Sequence, residues 1–358
     1  MKIGYITTTR YHMHTGGRRR AAQIYNILNR NHTVYQFNVN SENKGEMPDN
    51  IRGEDAAVNV DQLPAAVNKA LTCPYMWLHC DGYDLDLIYS YNSWQNNHII
   101  GWLCSRKLGV PLVIGVNDHR SGSGLLGTIT HEWSRDKALL TADAILLESD
   151  TLYPDIPDRV DSDKIVTAPT GVDVEDYYRP AVEPAETPTI FYGGRSDDIE
   201  LIFESMAEVT KQVPDAELRL AGVDADTFPN VTDDSITFLG YVSEERYREE
   251  MASAHVCVVP YTEQTTAGRP VKILEYMAAK GCIVATDRPY NTQMLSHQEN
   301  ALIAEPNPDA FAKAIVTALE DSSLQTELAD QAHEDVQAYS LQQLHTKLEA
   351  ALDIATKT

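Results

Sequence analysis

Short apolar segments recur along this chain, and each is followed by a segment with helical spacing. The run PLVIGVN at 111–117 is almost entirely apolar, and similar segments occur at 143–149, 217–223 and 255–261. A strand without a polar face belongs in a sheet that is covered on both sides, as parallel sheets are. The alternation of such strands with helices therefore predicts an α/β fold with doubly wound, mostly parallel sheets.

Residues 179–188, RPAVEPAETP, divide this alternation into two series. The segment has three prolines and neither a helical nor a strand period, which is typical of a linker. A chain of 358 residues is also too long for one ordinary hydrophobic core. We therefore predict a first domain at 1–178, a second at 189–338, and a C-terminal helical segment at 339–358 that packs back on the first domain.

The net charge of −24, from 53 acidic and 29 basic residues, constrains the partners. Such a surface repels nucleic acid, so a general nucleic-acid binder is excluded. Acids spread along a lysine-poor chain indicate adaptation to high salt. No apolar run reaches the roughly 18 residues of a membrane span, and the N-terminus lacks a signal peptide's apolar core. Five cysteines without a CxxC pair favour reduced, buried thiols in a cytoplasmic protein.

Each series begins with a strand that leads into a pair of glycines. Gly16 and Gly17 lie between the predicted strand at 2–7 and the first helix, and the strand TIFYGGR at 189–195 ends in Gly-Gly followed by Arg195. In α/β folds, glycines at this position bring the backbone close to a ligand phosphate. The alternative for each pair is a plain turn.

Asp118 and His119 are the acid–base candidates of the first half. They end the apolar run at 111–117, and functional groups of α/β sheets collect at the carboxyl ends of strands. The alternative for His119 is an ordinary surface histidine in a loop.

The stretch from Val258 to Asp287 predicts a phosphate site in the second half. A strand is followed there by a polar loop and a helix that starts near Val271, with Lys272 and Glu275 one above the other on one helix face. A helix start offers unpaired N–H groups and the positive end of its dipole. Arg269 and Lys272 add positive charge, whereas Glu275 can accept hydrogen bonds from sugar hydroxyls. The alternative is a connection whose charges are only solvated.

In their order and spacing, these features resemble the family 4 glycosyltransferases, which have the GT-B fold of two Rossmann-like domains that face each other across a cleft. PTGVDVEDYYRP at 169–180 is similar to the family's "NGVD…F.P" signature, and EYMAAKGCIVATD at 275–287 is similar to "EAMACGKPVVAT". The remaining features are the Gly16-Gly17 pair, ADAILLES at 142–149, YGGR at 192–195 and FLGYVSEERYREEMASAHVCVVPY at 238–261.

The resemblance implies transfer of a sugar from a nucleotide-diphosphate sugar to a glycan or lipid-linked acceptor. It implies retention of anomeric configuration, no metal and no cofactor, with the donor in the second domain and most of the acceptor in the first. It places Gly16, Gly17 and Arg195 on the donor diphosphate together with Arg269 and Lys272, and Glu275 on the ribose. His119 or Asp118 would lie near the reacting sugar.

The chain departs from the family pattern at several positions. Ala267 stands where the first glutamate of the E-x7-E motif is expected, Glu200 replaces a lysine, and His255 replaces an aspartate. The Asp-x-Asp at Asp84 and Asp86 precedes a strand and has no supporting carboxylates, so we interpret it as structural and not as a metal site.

Three alternatives stay open. A nucleotide-sugar 2-epimerase would share the fold but need no acceptor, and a non-catalytic nucleotide- or glycan-binding protein would explain Ala267. An NAD enzyme is disfavoured, since no GxGxxG follows a predicted strand. The stretch 10–20 carries Arg10 and the run Arg18-Arg19-Arg20 together with Tyr11, His12 and Met13. It allows contact with an anionic membrane surface or a lipid-linked phosphate, or pairing of its arginines with the chain's own acids.

The acidic composition makes a direct prediction about stability. We expect the free energy of unfolding to be higher in about 2 M potassium chloride than at low ionic strength, because salt shortens the range over which the acids repel one another. Equilibrium urea unfolding at the two salt concentrations measures the difference. Equal urea midpoints would contradict the adaptation to high salt.

Overall fold

The computed structural model describes residues 1–7, 16–39, 52–55, 65–91, 97–117, 133, 135–194, 199–262 and 271–357. The chain divides into two compact units, Met1–Thr170 together with Gln342–Thr358, and Gly171–Leu341. The first unit is therefore discontinuous in sequence, and the second is one contiguous stretch.

The first unit is built on a seven-stranded parallel sheet with the order β3-β2-β1-β4-β5-β6-β7. Every pair of neighbouring strands is parallel, which confirms the predicted doubly wound α/β arrangement. The strands are β1 (Lys2–Thr7), β2 (Thr33–Asn38), β3 (Gly53–Asp55), β4 (Leu87–Ser90), β5 (Leu112–Val116), β6 (Ala144–Leu147) and β7 (Ile165–Thr167). Its helices are α1 (Gly16–Asn31), α2 (Ala65–His79), α3 (Asn97–Leu108) and α4 (135–141).

The second unit has a six-stranded parallel sheet with the order β10-β9-β8-β11-β12-β13. The strands are β8 (Thr189–Gly193), β9 (Glu217–Ala221), β10 (Ile236–Gly240), β11 (Val256–Val259), β12 (Ile283–Thr286) and β13 (Leu302–Ala304). The helices are α5 (Val174–Tyr177), α6 (Glu200–Gln212), α7 (Glu244–Ser253), α8 (Val271–Ala278), α9 (Pro289–Thr292), α10 (Pro308–Glu320) and α11 (Ser322–Asp335). The last helix, α12 (Leu341–Lys357), begins at the final residue of this unit. From Gln342 onward, α12 belongs to the first unit.

Burial explains why the apolar strands predicted the fold so directly. Strands β5, β6, β8, β11 and β12 are buried at every position, as strands covered on both faces must be. The second unit has two separate core clusters. One includes Ile190, Val258 and Phe311, and the other includes Phe191, Cys257 and buried residues of α8. Cys257 and Cys282 are buried free thiols, as predicted.

The helix starts of the second unit follow ordinary capping rules. The side chain of Ser243 accepts a hydrogen bond from the N–H of Arg246 at the start of α7, and Asn307 accepts one from the N–H of Ala310 at the start of α10. Pro308 occupies the first turn of α10, where its missing N–H costs nothing. The predicted caps of α6, at 197–198, lie outside the described residues.

The proline-rich segment at 179–188 belongs to the second unit. Arg179 lies within ion-pair distance of Asp176 and Glu245, and the N–H of Ala185 donates to the carbonyl of Ser253 at 2.9 Å. The units meet in sequence at Thr170 and Gly171, so the boundary that we predict at 178 falls inside the second unit.

Two elements of the first unit differ from the predicted pattern. The region 40–64 contains the short strand β3, and α2 follows it, although neither has a clear period in sequence. The Asp-x-Asp pair has structural contacts: Asp84 binds the Lys2 ammonium at 2.8 Å, and Asp86 accepts the Lys2 backbone N–H at 2.7 Å. These contacts agree with the structural interpretation of the pair.

Arg20 of α1 is fully buried at the carboxyl ends of three strands. Its Nε donates to Oδ1 of Asn117 at 3.0 Å, one terminal nitrogen donates to the carbonyl of Ala168 at 2.7 Å, and Nε lies 3.9 Å from a Glu148 oxygen. Asn117, Glu148 and Ala168 directly follow β5, β6 and β7. The guanidinium therefore anchors α1 to the ends of these strands.

The arginine run does not act as one surface patch. Arg20 is buried and lies beside Glu148. For this arginine, the structure therefore agrees with pairing to an acid of the same chain and not with contact to a membrane. The side chains of Arg18 and Arg19 lie outside the described residues.

We predict that Arg20→Met lowers the free energy of unfolding of the first unit by about 3–5 kcal/mol, because removing one partner leaves Glu148 as a poorly compensated charge. Arg30→Met, at an exposed position of the same helix, is the matched control and should change stability by about 0.5 kcal/mol or less. All four tryptophans lie within residues 1–170, so tryptophan fluorescence during urea unfolding reports on this unit. Equal losses for the two variants would contradict the anchoring role of Arg20.

Candidate functional site

The strand order of the second unit places a candidate binding edge between β8 and β11. These strands are neighbours in space, and the chain runs outward from them in opposite directions across the sheet. In open α/β sheets, ligands bind beyond the carboxyl ends of the strands at such a reversal. The described residues at this edge are Gly193 at the end of β8, Gly194 after it, Tyr261 after β11, and the first turn of α8.

The Gly193-Gly194 turn has no room for side chains. A Cβ on Gly193 would lie 2.5 Å from the Tyr247 hydroxyl oxygen, and a Cβ on Gly194 would lie 3.1 Å from Cε of Lys272, with Nζ closer still. The Gly193 N–H donates to the Tyr276 hydroxyl at 2.9 Å. Bulky groups thus fill the space beside both glycines from within the fold, so the chain can follow this path only without side chains at the two positions.

The N–H of Gly194 donates to the carbonyl of Ala221 at 3.0 Å, which ties the turn to the end of β9. The next glycine along, Gly222, has φ +80°, and a Cβ there would lie 2.5 Å from the Gly194 carbonyl oxygen. Only glycine combines this backbone conformation with this close approach. Gly222 therefore fixes the position of the Gly194 carbonyl.

Lys272 holds its ammonium under this turn. Nζ lies 3.9 Å from the centroid of the Tyr192 ring and 4.8 Å from that of Tyr261. The nitrogen is inaccessible to solvent and has no hydrogen-bond partner among the described residues. Burial lowers the pKa of Lys272 to about 7, although the nearby Glu275 carboxylate opposes that shift.

Glu275 lies one turn further along α8 and is 4% exposed. One of its oxygens accepts the Tyr177 hydroxyl at 2.8 Å, and the other accepts the Tyr247 hydroxyl at 2.9 Å. Burial, with the neighbouring Glu275 charge, raises the pKa of Tyr247, so this phenol keeps its proton and remains a donor. The two phenols hold the carboxylate in a defined orientation.

The structure describes four of the residues that the sequence predicts for the site. Lys272 and Glu275 lie together on α8, at the edge described above. Gly16 and Gly17 are the first residues of α1 and not a loop before it, so the predicted loop position is corrected: the helix begins at the glycine pair itself. The first N–H groups of a helix have no partner within it, so this helix start still offers donors. The other four residues that we predict for the site lie outside the described part of the chain. They are Asp118, His119, Arg195 and Arg269.

Two of the departures from the family pattern have structural contacts. Glu200 is the first residue of α6, and its side chain accepts the N–H of Ile199 at 3.1 Å. His255 accepts the N–H of Thr189 through Nδ1 at 3.1 Å, and burial lowers its pKa. His255 thus serves as a neutral acceptor at the start of β8. Ala267, the third departure, lies outside the described residues.

The sequence does not indicate the tyrosines of this site. Tyr177, Tyr192, Tyr247 and Tyr261 come from four separate segments, and only the fold brings them to Lys272 and Glu275. A general signal exists, because the chain has 18 tyrosines and only 6 phenylalanines. Buried phenols need hydrogen-bond partners, so such a ratio favours polar networks inside the protein.

Within the described ranges, no three metal-ligating side chains come together. The helices of the same ranges are all too short or too polar to span a membrane.

Comparison with known proteins identifies the part of the chain that carries this edge. Residues 187–321 match the family model for glycosyl transferases group 1. A stretch of 169 residues is 28% identical to the O-antigen biosynthesis protein RfbC of Myxococcus xanthus. That match covers 44% of this chain but only 13% of RfbC, so the chain spans a small part of its relative.

Solved structures match over the whole chain. Sucrose-phosphate synthase from Thermosynechococcus elongatus is 18% identical, with a TM-score of 0.74 and 98% of each chain covered. Anabaena HepE in complex with UDP is 15% identical, with a TM-score of 0.75 and coverage of 99% of this chain and 100% of HepE. At these identities the likeness defines the fold, which is GT-B with two Rossmann-like units.

The tight packing at Gly193 predicts a measurable coupling. Gly193→Ala should destabilise the second unit by about 1–3 kcal/mol, because the Tyr247 ring must move. The loss should shrink in a Tyr247→Leu background, where the obstructing phenol ring and its hydroxyl are gone. Hydrogen exchange of the β8 amides, followed by mass spectrometry, measures both effects. Equal losses in the two backgrounds would show that Tyr247 does not limit the space at Gly193.

Proposed function

We propose that this chain is a glycosyltransferase that moves a hexose-type sugar from a nucleotide-diphosphate sugar to a glycan or lipid-linked acceptor. The observation that carries the proposal is the Lys272 ammonium, which has no anionic partner among the described residues and lies at the edge between β8 and β11. This edge belongs to the stretch that matches the glycosyl transferases group 1. A cation here would stabilise the charge that develops on a departing diphosphate.

The second unit supplies most of the proposed donor site. The diphosphate is proposed to lie beside Gly194, the partly exposed residue of the turn, and Lys272 supplies charge from beneath it. Arg195 and Arg269 are predicted to add charge from the adjoining segments. Each such group is typically worth about 2–4 kcal/mol of barrier.

The predicted contact of Glu275 with the ribose would be made by a carboxylate that two tyrosines already hold. Tyr177 donates to one of its oxygens and Tyr247 to the other. Their hydroxyls fix the carboxylate orientation, which favours a directed hydrogen bond to a sugar hydroxyl. The ribose contact remains a prediction.

The first unit is proposed to bind most of the acceptor. Gly16 and Gly17 of the same unit are proposed to approach the donor phosphates, because they begin α1, whose first N–H groups and dipole favour a negative charge. Asp118 or His119 would contact the reacting sugar or the acceptor hydroxyl. Transfer is proposed to proceed with retention of configuration and without a metal, as the family resemblance implies. A lipid-linked acceptor would bring the protein to the membrane surface.

Similar proteins support this choice of substrates without fixing it. HepE was solved in complex with UDP, and RfbC is named for O-antigen biosynthesis. A nucleoside-diphosphate donor and a polysaccharide-type acceptor are therefore the first to test.

We predict that one of the UDP-, GDP-, ADP- and dTDP-sugars raises the melting temperature of the protein. Arg195→Ala and Lys272→Ala should each weaken binding of the best donor by about tenfold or more, because each removes a positive charge from the diphosphate. Lys211→Ala, which removes an exposed lysine of α6, is the matched control and should leave donor binding unchanged. Isothermal titration gives the dissociation constants.

The same titrations and a turnover assay separate the alternatives. If neither Arg195→Ala nor Lys272→Ala weakens binding, the diphosphate lies elsewhere. Nucleotide release that depends on an added acceptor supports transfer. Epimerised sugar nucleotide in the absence of an acceptor would instead identify an epimerase, and tight binding without turnover would identify a binding protein.

A further inference from the structure

The orientation of Lys272 is the reverse of the usual one. Lysine side chains normally bury the alkyl stem and keep the ammonium in water. Lys272 is partly exposed as a residue, yet its Nζ is inaccessible to solvent. The charged end of the side chain is therefore the buried end, next to the glycine turn at Gly194.

The surroundings of the ammonium do not compensate for the loss of water. The faces of Tyr192 and Tyr261 attract a cation, but such contacts are worth only about 0.5–2 kcal/mol. No hydrogen bond or ion pair joins Nζ to any described residue. An isolated buried ammonium is costly, and a lysine in such a place gives up its proton readily.

The nearest acid is already engaged. Glu275 lies three residues along α8 from Lys272. Among the described residues, its negative charge is what raises the pKa of Lys272 and so favours the protonated lysine. Both of its oxygens accept tyrosine hydroxyls, from Tyr177 of α5 and Tyr247 of α7. Among the described residues, the other titratable groups that face Lys272 are the phenols of Tyr192 on β8 and Tyr261 after β11. The lysine thus lacks a dedicated counterion in the described part of its surroundings.

We propose that Lys272 takes up a proton from solvent when the diphosphate of a nucleotide binds at the Gly193-Gly194 turn. A new N–H bond forms on the neutral amine, and the proton comes from a buffer acid, which is left as its conjugate base. The arriving phosphate supplies the anion that the described residues around Nζ do not provide. This inference rests on the proposed function, because the phosphate belongs to the proposed donor.

The sign of the resulting pH dependence follows from this linkage. The nucleotide-bound form carries the proton and the empty form increasingly lacks it above pH 7, so nucleotide affinity falls as the pH rises. If the nucleotide binds only the protein with a protonated Lys272, its affinity should fall by about fivefold from pH 7 to 8. From pH 8 to 9 it should fall by about tenfold more.

The experiment uses the full chain with UDP as the probe, and GDP if UDP does not bind. Isothermal titration at pH 8 in two buffers of different ionisation enthalpy measures the protons taken up, and we expect about one per nucleotide. Lys272→Arg keeps a permanent charge and should bind without proton uptake and without the affinity loss. Lys211→Met is the matched control and should behave as the wild type does.

A second measurement follows the protonation of Lys272 directly in the protein without nucleotide. Carbon-13 NMR of labelled lysine, with the Lys272 signal assigned from its absence in Lys272→Met, should show titration near neutral pH. Titration above pH 10 would overturn the inference. Nucleotide binding with no proton uptake, or with the same uptake in Lys272→Arg, would overturn it and leave the proposed function standing. If no nucleoside diphosphate binds the wild type, both fall.

Discussion

The contact of a lysine ammonium with a glycine turn organises the candidate site. Lys272 can lie beneath Gly194 only because that residue has no Cβ, and Tyr247 can lie against Gly193 for the same reason. The carbonyl of Gly194 is fixed in turn by the close approach of Gly222. The turn, the lysine and the carboxylate of Glu275 therefore form one packed arrangement. A change at any of these positions is transmitted through direct contact.

The fold follows from the sequence because its central strands are covered on both faces. Such strands are apolar throughout, so β5, β6 and β11 stand out in sequence without any periodicity. Helix α2 does not stand out, since it contains Pro74 and leaves Leu78 62% exposed, which hides any amphipathic pattern. Strand β3 has three residues at the sheet edge and gives no signal of its own.

The candidate site follows from the sequence only where its residues are neighbours along one helix. Lys272 and Glu275 are three apart, so helical geometry predicts that they share a face. The partners of Glu275 lie 98 residues away at Tyr177 and 28 residues away at Tyr247, and no local rule connects them. Charge patterns in the sequence likewise do not show which distant residues a charged side chain will contact. The arginine run indicates a surface, yet burial of Arg20 depends on three distant strand ends that supply its acceptors.

The discontinuity of the first unit has a consequence for the order of synthesis. Residues 171–341 form a complete unit and can fold as soon as they have left the ribosome. The first unit is completed only by α12, where Leu348 and Leu352 are buried and Glu349 reaches Asn31 and His32. The half that is made first therefore waits for the half that is made second. During translation, the first sheet therefore lacks its contacts with α12 until that helix has been made.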